Sequence, residues 1–161
     1  MKPFIKQSLI VVCLFFFAFQ ASAQATKYKG MLQMSNYNGL EAYVVVSLID
    51  AKGNAEKTLY MMGPDEKWYN GFKDWFAKLS KKKEKLNAIT GASVAGGDRS
   101  TFTFTIDEAK INKGYKIRFE SSVEDQKNYI SDLEILFTTE AVTKKTDGTG
   151  YIRYVKLSKV Q

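Results

Sequence analysis

Residues 41–50 read EAYVVVSLID, and the stretch from Ala42 to Ile49 is nearly continuous in apolar side chains. A strand with one face in water alternates apolar and polar residues. A short run without alternation reads as a central strand buried on both faces. The turn Asp50-Ala51-Lys52-Gly53-Asn54 follows, and Glu56 to Met62 returns as a second strand.

Outward from this pair the period is two. In TFTFTI, residues 101–106, Phe102, Phe104 and Ile106 share one face. In YKIRFE, residues 115–120, Tyr115, Ile117 and Phe119 are expected inward, with Lys116, Arg118 and Glu120 in water. Residues 129–138 place Leu133, Ile135 and Phe137 together, and residues 151–157 form a last strand after the turn Asp147-Gly148-Thr149-Gly150. Residues 27–35 read as an opening edge strand. Seven short strands with turn signals between them predict a mostly β fold, an antiparallel sandwich.

One segment departs from this period. Across residues 64–79, Trp68, Tyr69, Phe72, Trp75, Phe76 and Leu79 follow a helical stripe. Pro64 suits a first helical turn. Asp65 and Glu66 suit the positive end of the helix, and Lys78, Lys81 and Lys82 its negative end. The spacing predicts one amphipathic aromatic helix that covers the sandwich. Trp68, Tyr69 and Trp75 are the aromatic candidates for stacking on a ligand.

Residues 1–23 are set apart from the fold. Lys2 and Lys6 precede an apolar run from Leu9 to Phe19, and Ala21-Ser22-Ala23 precedes Gln24. This is the pattern of a secretory signal peptide, and the run is short for a membrane-spanning helix. Cys13 leaves with the segment, and no small residue precedes it as a lipoprotein anchor would require. The expected product is a periplasmic or secreted single domain, residues 24–161, with no integral membrane span. Cleavage removes two lysines, so the net charge goes from +7 to +5 over 138 residues.

The chain has no His, and its one Cys lies in the signal segment. Imidazole-dependent catalysis, His-ligated metal sites, thiolate clusters and disulfides are therefore excluded from the mature domain. No nucleophile–base pair is visible, so an enzyme acting alone is not expected. The secretory address and the modest charge argue against nucleic acid. The run Lys78, Lys81, Lys82, Lys83, Lys85 reads either as a solvated helix end or as a surface for a phosphate or an anionic membrane.

Directly after it comes Leu86-Asn87-Ala88-Ile89-Thr90-Gly91-Ala92-Ser93-Val94-Ala95-Gly96-Gly97. This stretch is small, Gly-rich and hydroxyl-bearing. It reads as a connecting loop, or as a loop whose glycines let the backbone approach a ligand while Thr90 and Ser93 donate to phosphate oxygens.

The ordered set Ala42 to Asp50, Lys67-Trp68 with Phe72 to Trp75, Asn87 to Ser93, and Gly114 to Glu120 resembles a family of predicted periplasmic proteins, domain of unknown function 2271. The resemblance covers about residues 40–125. It implies an immunoglobulin-like sandwich, and it implies partners, a flavin transferase and a PepSY-type membrane redox protein, because such genes lie near those of the family. The loop is also similar to the FMN-acceptor motif of covalently flavinylated proteins, in which the last hydroxyl is joined to the flavin phosphate. Carried over by position, the acceptor is Ser93, with Thr90, Gly91 and Ala92 shaping the approach. Asn87 stands where the motif prefers Asp. The lysines nearby are expected to favour the phosphate charge.

Two functions remain open at this point. One is an accessory of flavin-linked electron transfer, carrying FMN or docking to a redox partner. The other is a cofactor-free sandwich that binds a membrane or periplasmic partner through exposed aromatics or a sheet edge. For processing the expected outcome is definite: N-terminal sequencing of the exported protein should begin at Gln24. A retained Met1 on cytoplasmic protein would contradict the signal-peptide reading.

Overall fold

The computed structural model describes residues 24–82, 85–86 and 88–160; the signal segment, Lys83 and Asn87 lie outside them. Among the described residues nine strands form two sheets. The first is four-stranded, in the order β5 (Arg99–Asp107), β1 (Ala25–Met34), β9 (Ile152–Lys159), β8 (Thr146–Asp147). The second is five-stranded, in the order β4 (Thr90–Gly91), β3 (Ala55–Met62), β2 (Tyr43–Ile49), β6 (Lys116–Ser122), β7 (Tyr129–Leu136). All pairings between these strands are antiparallel except β3–β4, which is parallel.

The sandwich reading holds. The first sheet contributes Tyr28, Leu32, Phe102, Phe104, Val155 and Leu157 to the core, and the second contributes Val44, Val46, Leu48, Ile117, Phe119 and Ile135. Aromatic rings join the layers: Phe102 meets Phe119 edge-on at 6.0 Å and lies 5.9 Å from Phe104 in a stacked arrangement. Gly30 makes room for this, since a Cβ there would sit 2.2 Å from the Phe102 ring.

Strand β2 is buried on both faces, as its run of apolar residues predicts. Val44, Val46 and Leu48 face the sandwich, while Val45 faces outward into a second cluster with Met61, Tyr69, Phe72, Trp75 and Leu86. That cluster is the helical cover, and it differs from the single helix expected over residues 64–79. It is a 3-10 helix, Glu66–Gly71, followed by α1, Lys73–Lys82. Asp65 starts the first helix by accepting from the Lys67 N–H at 3.3 Å. Phe72, at φ −89° and ψ 67°, breaks it, and the Asn128 amide donates to the Gly71 carbonyl at 2.6 Å. Within the cover Tyr69 and Phe72 each meet Trp75 edge-on, at 5.4 and 6.0 Å. Tyr69, Phe72 and Trp75 are buried, whereas Trp68 and Phe76 are exposed.

Three other expectations are corrected. The strand at residues 27–35 is interior, flanked by β5 and β9. Thr90-Gly91 is an edge strand and not a loop. Glu120 is buried, because the helical cover lies over its face of β6.

Phe104→Ala and Trp75→Ala should each lower stability by about 3–5 kcal/mol in denaturant titrations, since both side chains are almost wholly enclosed. A loss below about 1 kcal/mol for both would show that neither stripe is core.

Candidate functional site

After α1 the chain returns along the free edge of β3. Thr90 and Gly91 pair with Met61 and Met62, and the Gly63 N–H donates to the Gly91 carbonyl at 2.8 Å. Val94 then forms a two-bond bridge with Ala42, at 2.8 and 3.0 Å. The Tyr37 hydroxyl fastens the same point, donating to the Val94 carbonyl at 2.9 Å and accepting from the Ala42 N–H at 2.8 Å. Ala92 and Ser93 are thus held between two backbone clips.

Residues of the acceptor-like stretch are separated by this arrangement. Ser93 lines a cleft of about 630 Å³, together with Leu40, Glu41, Tyr43, Trp68 and Asn128. Its hydroxyl donates to Glu41 Oε2. Thr90 faces elsewhere, its hydroxyl donating to the Leu86 carbonyl at 2.8 Å. Gly91 serves packing: a Cβ there would lie 2.4 Å from the Tyr60 hydroxyl. Gly96 passes against the Tyr37 backbone, and Gly97 turns the chain at φ +80°. These glycines shape the chain and do not line the cleft. Ala92 is exposed beside Ser93, and Asn87 lies outside the described residues.

The basic surroundings expected for Ser93 rest on Lys81, Lys82, Lys83 and Lys85, of which Lys83 and the Lys82 side chain lie outside the described residues. Among the described residues, the charged ones lining its cleft are Glu41, Glu124 and Asp125. The 3-10 helix borders the cleft, but α1 carries Lys81 about 12 Å further along its axis, at the usual rise per residue. Lys67, next to Trp68 on the 3-10 helix, pairs with Asp65 at 2.7 Å and stands 5.1 Å from the Trp68 ring centre.

Of the three aromatic stacking candidates, the structure leaves one available. Trp75 donates its indole N–H to the Thr58 hydroxyl at 3.0 Å under the cover, and the Tyr69 hydroxyl donates to the Gly63 carbonyl at 2.9 Å. Trp68 remains 39% exposed on the wall of the cleft.

Sequence reasoning missed Glu41 and Glu120. Glu41 is 52 residues from Ser93 and reaches it only through the Ala42–Val94 bridge. Glu120 lines a smaller cleft of about 220 Å³, which shares Gly71 and Asn128 with the larger one. Burial pushes its carboxyl up to about 7, partly opposed by the Arg118 charge. The regular alternation of residues 115–120 put it in water, and the only counter-signal was the aromatic stripe that covers it.

A two-sheet sandwich with an aromatic cover and a clipped serine at a cleft defines the class of this protein in structural terms. The family follows from the sequence: residues 25–154 match the model of DUF2271, predicted periplasmic proteins, and the chain belongs to that family. No curated protein and no solved structure matches it. Among the described residues, no helix is long and apolar enough to cross a membrane, and no group of His, Cys, Asp and Glu side chains forms a metal site.

The raised carboxyl of Glu120 has a signed consequence. The folded state holds its proton more tightly than the unfolded chain does. Its contribution to stability is therefore full below about pH 4.5 and is lost as the pH rises through about 7. Glu120→Gln should remove that dependence and raise stability at pH 8 by up to roughly 3 kcal/mol, measured by denaturant titration across pH. Parallel curves for the two proteins between pH 4 and 8 would show that Glu120 ionises as freely as in water.

Proposed function

We propose that this protein is a periplasmic accessory of flavin-linked electron transfer that carries FMN covalently on Ser93. The observation that supports this reading best is the placement of that hydroxyl. It stands on a backbone clipped at both ends, at a cleft of about 630 Å³ with an exposed Trp wall. Such a volume is that of a small-molecule site.

Each residue has a part in this reading. Ser93 Oγ is the attachment atom. The bond made is from Ser93 Oγ to phosphorus, and the bond broken joins that phosphorus to the AMP portion of FAD, which the flavin transferase supplies. Ser93 loses its proton on attachment, and Glu41 Oε2, already the acceptor of that hydrogen bond, receives it. Thr90 and Gly91 hold the edge strand that presents Ser93. Trp68 and Tyr43 offer ring faces beside it. FMN supplies the electron chemistry when attached, and the protein positions it. The transferase and a PepSY-type membrane redox protein are the partners in this scheme.

Co-expression with a flavin transferase, followed by in-gel flavin fluorescence and intact mass, tests the reading. The wild type should gain one FMN. Ser93→Ala should gain none while keeping its stability within about 0.5 kcal/mol, as expected for a surface hydroxyl. Glu41→Gln should slow attachment, Thr90→Ala should slow it less than Ser93→Ala, and Asn87→Asp should leave it unchanged or faster. If neither the wild type nor Asn87→Asp gains FMN, the cofactor-free partner-binding sandwich replaces the flavin carrier, with Leu40 and Trp68 as its exposed apolar contacts.

A further inference from the structure

Two acidic side chains, Glu120 and Asp132, are drawn in at one irregularity of the five-stranded sheet. Between Phe119 and Ser121 of β6, the partner strand β7 advances from Leu133 to Tyr129, so residues 130–132 have no regular opposite number. Such irregularities re-aim side chains and end regular pairing. Asp132 goes inward and is fully engaged. It accepts from the Thr149, Gly150 and Ile152 N–H groups at 2.9, 2.6 and 2.9 Å and from the Ser121 hydroxyl at 2.5 Å. It ties β7 to the turn before β9.

Glu120 is the opposite case. The side chain is 5% exposed, among the described residues no hydrogen bond or ion pair reaches its carboxyl, and the carboxyl oxygens meet solvent only at the cleft they line. It lines the smaller cleft with Phe72, Lys73, Tyr129 and Ile130. Two other polar side chains of that lining are spent. Ser121 donates to Asp132, and the Asn128 amide is shared between Ser122 and Gly71. The charges facing Glu120 do not fill the gap either. Arg118 on its own strand bonds Glu134 at 2.7 Å, Asp74 and Lys78 on α1 act in opposite directions, and Lys73 is exposed at the rim.

A buried carboxyl without a partner is costly when ionised and gains most from a charged donor that enters with it. Phe72, the Tyr129 ring and the exposed Ile130 give the cleft an apolar surface beside Lys73, Ser121 and Asn128, and its volume of about 220 Å³ admits only a small molecule. We propose that this cleft binds a small organic cation, an alkylammonium or alkylguanidinium, whose head pairs with Glu120 while its alkyl part lies on Phe72, Tyr129 and Ile130. The site stands independently of the flavin reading, because none of its contacts involves Ser93.

The test uses the mature protein and three probes: n-butylammonium, n-butylguanidinium and, as the neutral control, n-butanol. Amide chemical shifts are followed by NMR. At about pH 8.5 the two cations should give saturable shifts centred on residues 71–73 and 128–130, and butanol should not. At about pH 5.5 the carboxyl is protonated and affinity should fall by about thirtyfold, given titration near 7. Glu120→Gln should abolish binding. Ile130→Ala, a change at an exposed side chain that leaves the fold intact, should weaken it about threefold. No saturable shift at about pH 8.5, equal binding of butanol, or affinity independent of pH overturns the proposal.

Discussion

Strand β2 is apolar on both faces, and the rest of the molecule is arranged around that constraint. One face is closed by the four-stranded sheet through Val44, Val46 and Leu48. The other must be closed by something that is not a sheet, and Tyr69, Phe72 and Trp75 do this from two short helices. Burial of these side chains contributes on the order of a few kcal/mol each. Because the cover crosses the sheet and ends near β3, the chain returns along the β3 edge as β4. The Ala42–Val94 bridge then closes the return against the start of β2 itself. The cleft between the 3-10 helix and this return is a consequence of covering one strand.

Much of this was legible where period and burial coincide. The double-faced run of residues 42–49, the alternation in residues 101–106 and the inward set Leu133, Ile135 and Phe137 all appear as read, because side-chain direction in a strand follows parity. Parity says nothing about what lies over the outer face, so Glu120 was read as solvated when it lies under the cover. The aromatic stripe marked a helical segment correctly. It could not show the break at Phe72, which depends on Asn128 capturing the Gly71 carbonyl from 57 residues away. The interior position of β1 was equally hidden, since sheet order is set by packing between distant segments.

For the site the division is sharper. Ser93 stood out because a hydroxyl among small residues is visible in any sequence. Its setting was not visible. Lys78 and Lys81 lie on α1 and are absent from the cleft lining, and the carboxylate that touches the hydroxyl comes from Glu41 at the other end of a long-range bridge. The acceptor pattern prefers an acid six positions before the hydroxyl, where this chain has Asn87. Glu41 brings a carboxylate to the same hydroxyl through tertiary structure. Membership of the DUF2271 family of predicted periplasmic proteins fits a domain that is stabilised by an ordinary core without cysteine.

The central claim is that Ser93 is the attachment point for FMN. Trypsin cuts after Lys85 and Arg99, which isolates residues 86–99 with Ser93 as the second of their two hydroxyl side chains, after Thr90. Tandem mass spectrometry of this peptide, from protein made alongside a flavin transferase, reads the position directly. The account predicts one FMN phosphodiester on the fragment ions that contain Ser93 and none on those that end at Thr90. FMN on Thr90, or an unmodified peptide from fully exported and folded protein, would contradict it.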